Sequence, residues 1–270
     1  MNSQTVLTEI DSRGVATVTL NRPDKHNAFD DAIIAQLREA FDGLAARADV
    51  RVVILASAGK SFSAGADLAW MKRMAEYDYE HNLKDAELLA AMLKSLYDLP
   101  QPTIAKVQGA AFGGAVGLAS CCDIAIGSDR ASFSLSEVKI GLIPATISPY
   151  VIRALGERAA RRYFTTGERF SAGEAHRLGL LHEVVPLDEL DTAVNNMVDA
   201  LLSSAPAATR AAKALVNEFS GQDIDDRIIA HSCTRIAEIR VSEEGQEGLT
   251  AFLDKRKPNW IIDAADKAQV

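Results

Sequence analysis

The chain has 270 residues, of which 48% are hydrophobic and 24% charged, and carries a formal net charge of −8. This is the composition of an ordinary globular chain forming one large domain or two small ones, and it excludes collagen-like, fibrous and disordered classes. The acidic balance argues against nucleic-acid and membrane-surface binding, both of which rely on a basic field.

Apolar runs are broken by Gly, Lys, Asp or Pro before they reach about 18 residues, and the start Met1-Asn-Ser-Gln-Thr5 lacks the basic and apolar parts of a secretory signal, so a cytoplasmic protein is expected. Val6–Ile10 and Val15–Leu20 alternate apolar with polar residues around Asp11-Ser-Arg-Gly14, a hairpin signal. Asp30 can cap a helix whose stripe is Ile33, Leu37, Ala40, Phe41 and Leu44. Residues 52–56 read as a buried strand that runs into the small-residue turn Ser61-Phe-Ser-Ala-Gly-Ala-Asp-Leu68. The piece 67–78 looks less regular, and a helix follows over 79–96 with Leu89, Met92, Leu93 and Leu96 on one face.

Thr103–Val107 reads as a core strand, followed by the small-residue turn Gly113-Gly114-Ala115 and an apolar helix. Cys121 and Cys122 lie in that apolar run. With Cys233 they cannot build a disulfide framework, and their setting suggests small buried thiols in a reducing compartment. A short strand at 123–126, another stretch at 131–135 and a loop to Pro144 come next. Ser171-Ala-Gly-Glu174 has capping-box spacing, 181–185 returns briefly to the sheet, and the pattern is helical from about Leu187 to Leu253. No linker separates that tail from the rest.

Both small-residue turns follow a strand, and such a turn is often no more than tight packing. Where two converge, however, two backbone N–H groups aimed at one point make an oxyanion hole for a carbonyl oxygen that is gaining charge. A titratable group must then stand beside the hole. Glu137, in the apolar stretch Leu135-Ser-Glu-Val138, is either a hydrogen-bonded or surface-facing residue or a general acid/base whose pKa desolvation raises. His26, His81, His176, His182 and His231 show no paired metal-ligand spacing, so no metal is expected. There is no Gly-x-Ser-x-Gly elbow or phosphate-binding Walker loop, and Gly113-Gly-Ala-Val-Gly117 departs from the Gly-x-Gly-x-x-Gly order.

The run Ile104 to Ile124 resembles the crotonase superfamily, the enoyl-CoA hydratase/isomerase family. So do Asn21-Arg-Pro-Asp-Lys-His-Asn-Ala28, Ser63-Ala-Gly-Ala-Asp-Leu68, Phe133 to Pro144, and Gly248 to Lys257. The resemblance implies an α/β fold, a crotonase (ClpP/crotonase-like) spiral of ββα units with a C-terminal helical layer. Residues 1–200 would be the core carrying the acyl-CoA site, and 201–270 a helical region for trimerisation and covering of the site. It implies a homotrimer or a homohexamer built as a dimer of trimers. It also implies an acyl-CoA substrate, with coenzyme A entering as part of that substrate and no separate cofactor. The N–H groups of Ala66 and Gly114 would hold the thioester oxygen, and Glu137 falls on a family catalytic glutamate. Lys25, Ala28, Ala64, Asp67, Leu68, Gly113, Gly117 and Lys255 fall on substrate- or coenzyme-contacting positions, with His26 a further candidate beside Lys25 and Asp67 equally able to cap the next helix. Trp70, Met71 and Met74 could line an acyl pocket or simply belong to the core.

One departure stands out: Gly117 occupies the position of the first of the two glutamates that hydratases of this family use. Glu137 then handles both proton movements, another side chain substitutes, or the reaction needs a single proton shuttle, as in a Δ3,Δ2-enoyl-CoA isomerase. A closer likeness to bacterial 3-methylglutaconyl-CoA hydratase-like proteins is carried by Phe62 to Met71, Phe112 to Leu118 and Ile140 to Pro149, and favours hydration in leucine or acyclic terpene catabolism. A glutaconyl tail ends in a carboxylate, for which Lys139, Lys72 and Arg73 are the candidate cations. A catalytically degenerate acyl-CoA-binding protein is the reading from another class.

Overall fold

The structure, a computed structural model, describes residues 4–261. They divide into two compact units, 4–99 with 103–196, and 100–102 with 197–261.

In the first unit β1 (Val6–Ile10) and β2 (Val15–Leu20) form an antiparallel hairpin. Asp11 holds its turn by accepting the N–H groups of Arg13 at 2.9 Å and Val15 at 3.0 Å. Helix α1 (Asp31–Ala45) starts where Asp30 Oδ1 accepts the Ile33 N–H at 3.1 Å. Its buried face is Ile33, Ile34, Leu37, Phe41 and Leu44, each such side chain contributing roughly 1.5–3 kcal/mol when fully withdrawn from water. Strand β3 (Val52–Ser57) follows, then α2 (Leu68–Met74) and α3 (Tyr79–Tyr97). The irregular stretch expected after Asp67 is thus a short helix, nucleated because Asp67 Oδ1 accepts the N–H groups of Ala69 at 2.7 Å and Trp70 at 3.4 Å.

Next come β4 (Thr103–Val107), β5 (Ala110–Phe112), α4 (Gly114–Cys121), β6 (Ile124–Ser128) and β7 (Ser132–Ser134). Helices α5 (Ser148–Leu155) and α6 (Glu157–Thr166), strand β8 (Phe170–Ser171), α7 (Ala172–Arg177) and β9 (Glu183–Val185) complete the unit up to its last helix. One sheet of six strands runs β1-β2-β3-β4-β6-β9, parallel except for the first pair; a second, β5-β7-β8, has three. The successive strand and helix units form the α/β architecture that the sequence suggested. Strand β3 is buried up to Ser57 and β4 everywhere but at Lys106, as expected for strands in the middle of a sheet. At α7 the capping box is only half made: Ser171 Oγ accepts the Glu174 N–H at 3.3 Å, while the Glu174 carboxylate turns to Arg177 and Tyr163.

Helix α8 (Leu190–Leu202) begins in the first unit and ends in the second, which continues with α9 (Pro206–Phe219), α10 (Asp226–Val241) and α11 (Glu243–Leu253). Helix α9 has no side-chain cap of its own. Glu244 supplies it, accepting from Ala207 at 3.0 Å and Ala208 at 2.8 Å. Cys121 and Cys122 are buried, whereas Cys233 on α10 is exposed. Among the described residues no helix is long and apolar enough to cross a membrane.

Candidate active site

Short main-chain bridges bring three distant segments side by side. The Phe29 N–H donates to Gly65 O at 2.9 Å and the Asp67 N–H to Phe29 O at 3.0 Å, so Phe29 pairs with both neighbours of Ala66. On the other flank, the Ser63 N–H donates to Ala110 O at 3.1 Å and the Phe112 N–H to Ser63 O at 3.0 Å. Ser63 Oγ, fully buried, donates to Asn27 O at 2.8 Å and accepts the Gly65 N–H at 3.1 Å. Gly65 takes φ 85 and lies so near Phe112 that a Cβ there would stand 2.7 Å from the Phe112 carbonyl oxygen. Only glycine fits this close approach.

The Gly65 N–H goes to Ser63 Oγ and the Asp67 N–H to Phe29 O, and the Ala66 N–H between them is left without a partner among the described residues. Gly114 opens α4, where an N–H has no intrahelical acceptor. Ala66 and Gly114 line one cavity of about 890 Å³ together with Glu137.

Glu137 sits in the 3-10 turn Ser136–Ile140 that follows β7. Its Oε1 lies close over Gly113, where a Cβ would be 3.0 Å away, and Gly113 itself adopts φ 52. Glu137 Oε2 is buried and has no hydrogen-bond partner among the described residues. Burial raises the pKa of this carboxyl group, and a hydrogen bond from its own backbone opposes the rise only in part.

Trp70, Met71, Met74 and Leu89, from α2 and α3, form one side of the cavity, with Ile140, Leu142, Ile143 and Ile147 from the segment after Glu137 also lining it. Asp85 lines it too, accepting from Trp70 Nε1 at 3.3 Å. None of the lining residues is Lys or Arg. Of the cations considered for a distal carboxylate, Arg73 pairs with Asp31 at 2.5 Å, Lys72 lines a neighbouring cleft, and the Lys139 stem packs along Gly167.

That neighbouring cleft adjoins the cavity through the shared Ala66, and its lining includes Lys25, His26, Ala28, Ala64, Asp67 and Leu68. Asp67 is 5% exposed, and besides capping α2 it pairs with Arg22 at 3.1 Å and Lys25 at 3.6 Å. Burial pushes its pKa upward, but the N–H groups of Ala69 and Trp70 and the charges of Lys25 and Arg22 prevail, and the carboxyl is lowered overall. His26 Nδ1 lies 3.2 Å from Ser61 Oγ.

Gly117, placed by resemblance among substrate contacts, lines neither cleft. It is buried in α4 beneath Ile147, whose Cβ would be 2.8 Å from a Cβ at this position. The place where a second glutamate was sought is therefore closed by hydrocarbon. Lys255 lies in the second unit, just past α11. Among the described residues no group of three or more His, Cys, Asp or Glu could hold a metal ion.

Several residues that build the site escaped the sequence reading. Arg22 reaches the Ala28 carbonyl at 3.3 Å and Asp30 at 3.4 Å as well as Asp67, and buried Asn27 donates to Ala58 O at 2.7 Å and Ser61 O at 2.9 Å. Their presence in the Asn21–Ala28 motif was the only signal for them. Ile147, Asp85 and the bridging role of Phe29 had none.

Two free N–H groups on the lining of one cavity, with a carboxyl group of raised pKa beside them, are the parts that polarising a carbonyl and moving a proton next to it would require. Comparisons with known proteins show the family. Residues 11–262 match the family described as Enoyl-CoA hydratase/isomerase. The chain is 49% identical to an enoyl-CoA hydratase from Shewanella pealeana of known structure, with a TM-score of 0.92 and coverage of 95% of this chain and 96% of that one. It is 33% identical to the short-chain-enoyl-CoA hydratase of Clostridium acetobutylicum over 90% of this chain and 92% of the relative. With the crotonyl-CoA hydratase of Syntrophomonas wolfei it shares 31% identity over 92% and 94%. The fold, the paired turns and these likenesses together make the chain a member of the enoyl-CoA hydratase/isomerase family, the crotonase superfamily.

Proposed function

We propose that this enzyme adds water to, or removes it from, a 2-enoyl-CoA thioester through an enolate held by the Ala66 and Gly114 N–H groups. The observation that carries the reading is the unpartnered, buried Glu137 Oε2 in the same cavity as those two donors. In the hydration direction the Glu137 carboxylate takes a proton from water as its oxygen bonds to C3. The C2=C3 electrons move toward the thioester, and the oxygen charge rests on the two N–H groups. The protonated Glu137 then returns its proton to C2 as the carbonyl re-forms. One carboxyl group balances both transfers.

The coenzyme lies along the second cleft, where Lys25 and Lys72 meet its phosphates and Ala28, Ala64, Asp67 and Leu68 flank it. No group besides the substrate is needed for this chemistry. Gly113 contributes by bringing the main chain close to the Glu137 carboxyl, and Lys255 meets coenzyme phosphate in the assembled oligomer. A trimer, paired into a hexamer, is supported by apolar side chains left on the surface of the second unit, among them Ile224 at 87%, Phe252 at 81% and Val241 at 78% exposure. Cytoplasmic fatty-acid or leucine breakdown is the setting that this activity supports.

A second reading, double-bond isomerisation, is favoured by the Ile147 side chain packed over Gly117, which leaves no room for a second glutamate at that position. Here Glu137 removes a proton from C2 of a 3-enoyl thioester and returns it at C4. 3-Methylglutaconyl-CoA, the substrate suggested by likeness, joins crotonyl-CoA and 3-hexenoyl-CoA in the test. Steady-state hydration of a 2-enoyl thioester supports the first reading; migration of the 3-hexenoyl double bond without water uptake selects the second; acyl-CoA binding without turnover of any of the three refutes both.

A further inference from the structure

The cavity that would take the acyl chain has a charge pattern that the proposed reaction leaves unexplained. Asn82, Asp85, Ala86 and Leu89 lie three or four residues apart on α3, so one face of that helix forms a wall of the cavity. In the same lining stand Trp70, Met74, Ile140, Leu142 and Ile143, apolar throughout. Asp85, half-buried, puts a carboxylate on this wall with one hydrogen bond, from Trp70 Nε1 at 3.3 Å, and with no ion pair among the described residues. The nearby cation, Arg73, is held by Asp31 at 2.5 Å. Burial raises the Asp85 carboxyl, with Asp31 adding to the rise, and the Trp70 N–H and Arg73 opposing it.

We infer that Asp85 is a specificity residue that restricts the cavity to acyl groups with a neutral tail and rejects those ending in a carboxylate. The inference rests on the acyl-CoA reading of the site. A second carboxylate entering the cavity would meet a like charge at Asp85, with Glu137 a further acid on the same lining and no Lys or Arg on that lining to receive it. Neutral tails meet a largely apolar lining and suffer no such repulsion. Rejection of the wrong ligand by an unpaired charge is a recognised route to selectivity, distinct from added contacts to the right one. The glutaconyl thioester suggested by sequence likeness falls on the rejected side.

Asp85→Asn removes the charge and keeps an oxygen for Trp70 Nε1, so the fold is retained; Asp85→Lys places a cation at the same point. Hexanoyl-CoA and adipoyl-CoA differ only by the terminal carboxylate and share every coenzyme contact. Their affinities for the wild-type protein and both variants are measured by calorimetry at pH 8, with melting temperatures recorded alongside. Wild type is expected to prefer hexanoyl-CoA by about a hundredfold. Asp85→Asn should narrow that gap by about tenfold, leaving hexanoyl-CoA within about twofold of wild type, and Asp85→Lys should narrow it further. Equal wild-type affinities, or a gap unchanged in both variants, overturn the inference. Failure of wild type to bind either thioester overturns the acyl-CoA reading along with it. Binding with the expected gap but no turnover of 2-hexenoyl-CoA leaves the inference standing and removes only the proposed chemistry.

Discussion

The phenyl ring of Phe29 rests against Gly114: a Cβ on that glycine would stand 2.5 Å from the ring's Cζ. Through its main chain the same residue holds Gly65 at 2.9 Å and Asp67 at 3.0 Å. Phe29 therefore touches both turns that present a free N–H, fixing one by hydrogen bonds and the other by packing. Being 1% exposed, it has little room to move.

Replacement of Phe29 by Leu keeps the backbone bridge and an apolar core residue while withdrawing the ring from Gly114. Stability should fall by roughly 1 kcal/mol. Turnover of crotonyl-CoA is expected to drop about 10–100-fold with KM little changed, because misplacement of one donor affects the enolate more than the bound substrate. The long-wavelength absorption shift of bound 2,4-hexadienoyl-CoA, which reports carbonyl polarisation, should shrink in parallel; a full shift in the variant would contradict the role given to the ring.

For Glu137→Gln, turnover should fall at least about a hundredfold while acyl-CoA binding persists. The same variant should melt higher than wild type at neutral pH. A carboxyl raised by burial binds its proton more tightly folded than unfolded, so it favours the native state in acid and loses that contribution as pH rises through the folded pKa. Above that point the buried charge is a burden, which glutamine relieves. An equal or lower melting temperature at pH 7.5, with the gap unaltered at pH 4, would argue that Glu137 is not desolvated.

The acid limb of kcat/KM should lie above the ordinary glutamate range. Glu137 must be ionised in the free enzyme to take a proton from water, and burial raises the pH at which it becomes so. A profile for crotonyl-CoA between pH 4 and 9 that stays flat down to the ordinary glutamate pKa would place the essential base elsewhere.

Restoring an acid at position 117 should fail. In Gly117→Glu the new side chain meets Ile147, whose Cβ lies 2.8 Å from the new Cβ, and the variant should lose about 1–3 kcal/mol, read by denaturant titration, with no gain in hydration rate. Combining it with Ile147→Ala opens the space and should recover part of the loss. A stable single variant with faster hydration would show that Ile147 yields readily.

Local patterns made much of this fold legible. The hairpin at β1 and β2, the Asp30 cap and the stripe of α1 all rest on neighbours within a few residues, and period and cap chemistry expose such features directly. Helix α2 was missed because seven residues span too few turns to show a period, although Asp67 carried the start signal. In the site, Glu137 and both glycine-rich turns were conspicuous by residue type. What joins them was not: Ser63 and Asn27 meet across 36 positions of chain, and Ile147 covers Gly117 from a later loop. Pairings through the main chain leave no mark on side-chain composition. The charge on the cavity wall was hidden for a related reason, since Asp85 sits on a helix whose polar residues look like an ordinary solvated face until α2 is seen beside it.

Because the two proposed donors belong to peptide groups, no substitution short of proline can delete them; any other replacement can only tilt them. Side chains around them enjoy no such protection, and position 117 carries no acid while the N–H groups of Ala66 and Gly114 remain free. A chain built this way can change which reaction it performs, or on which tail, while the grip on the acyl group is inherited intact.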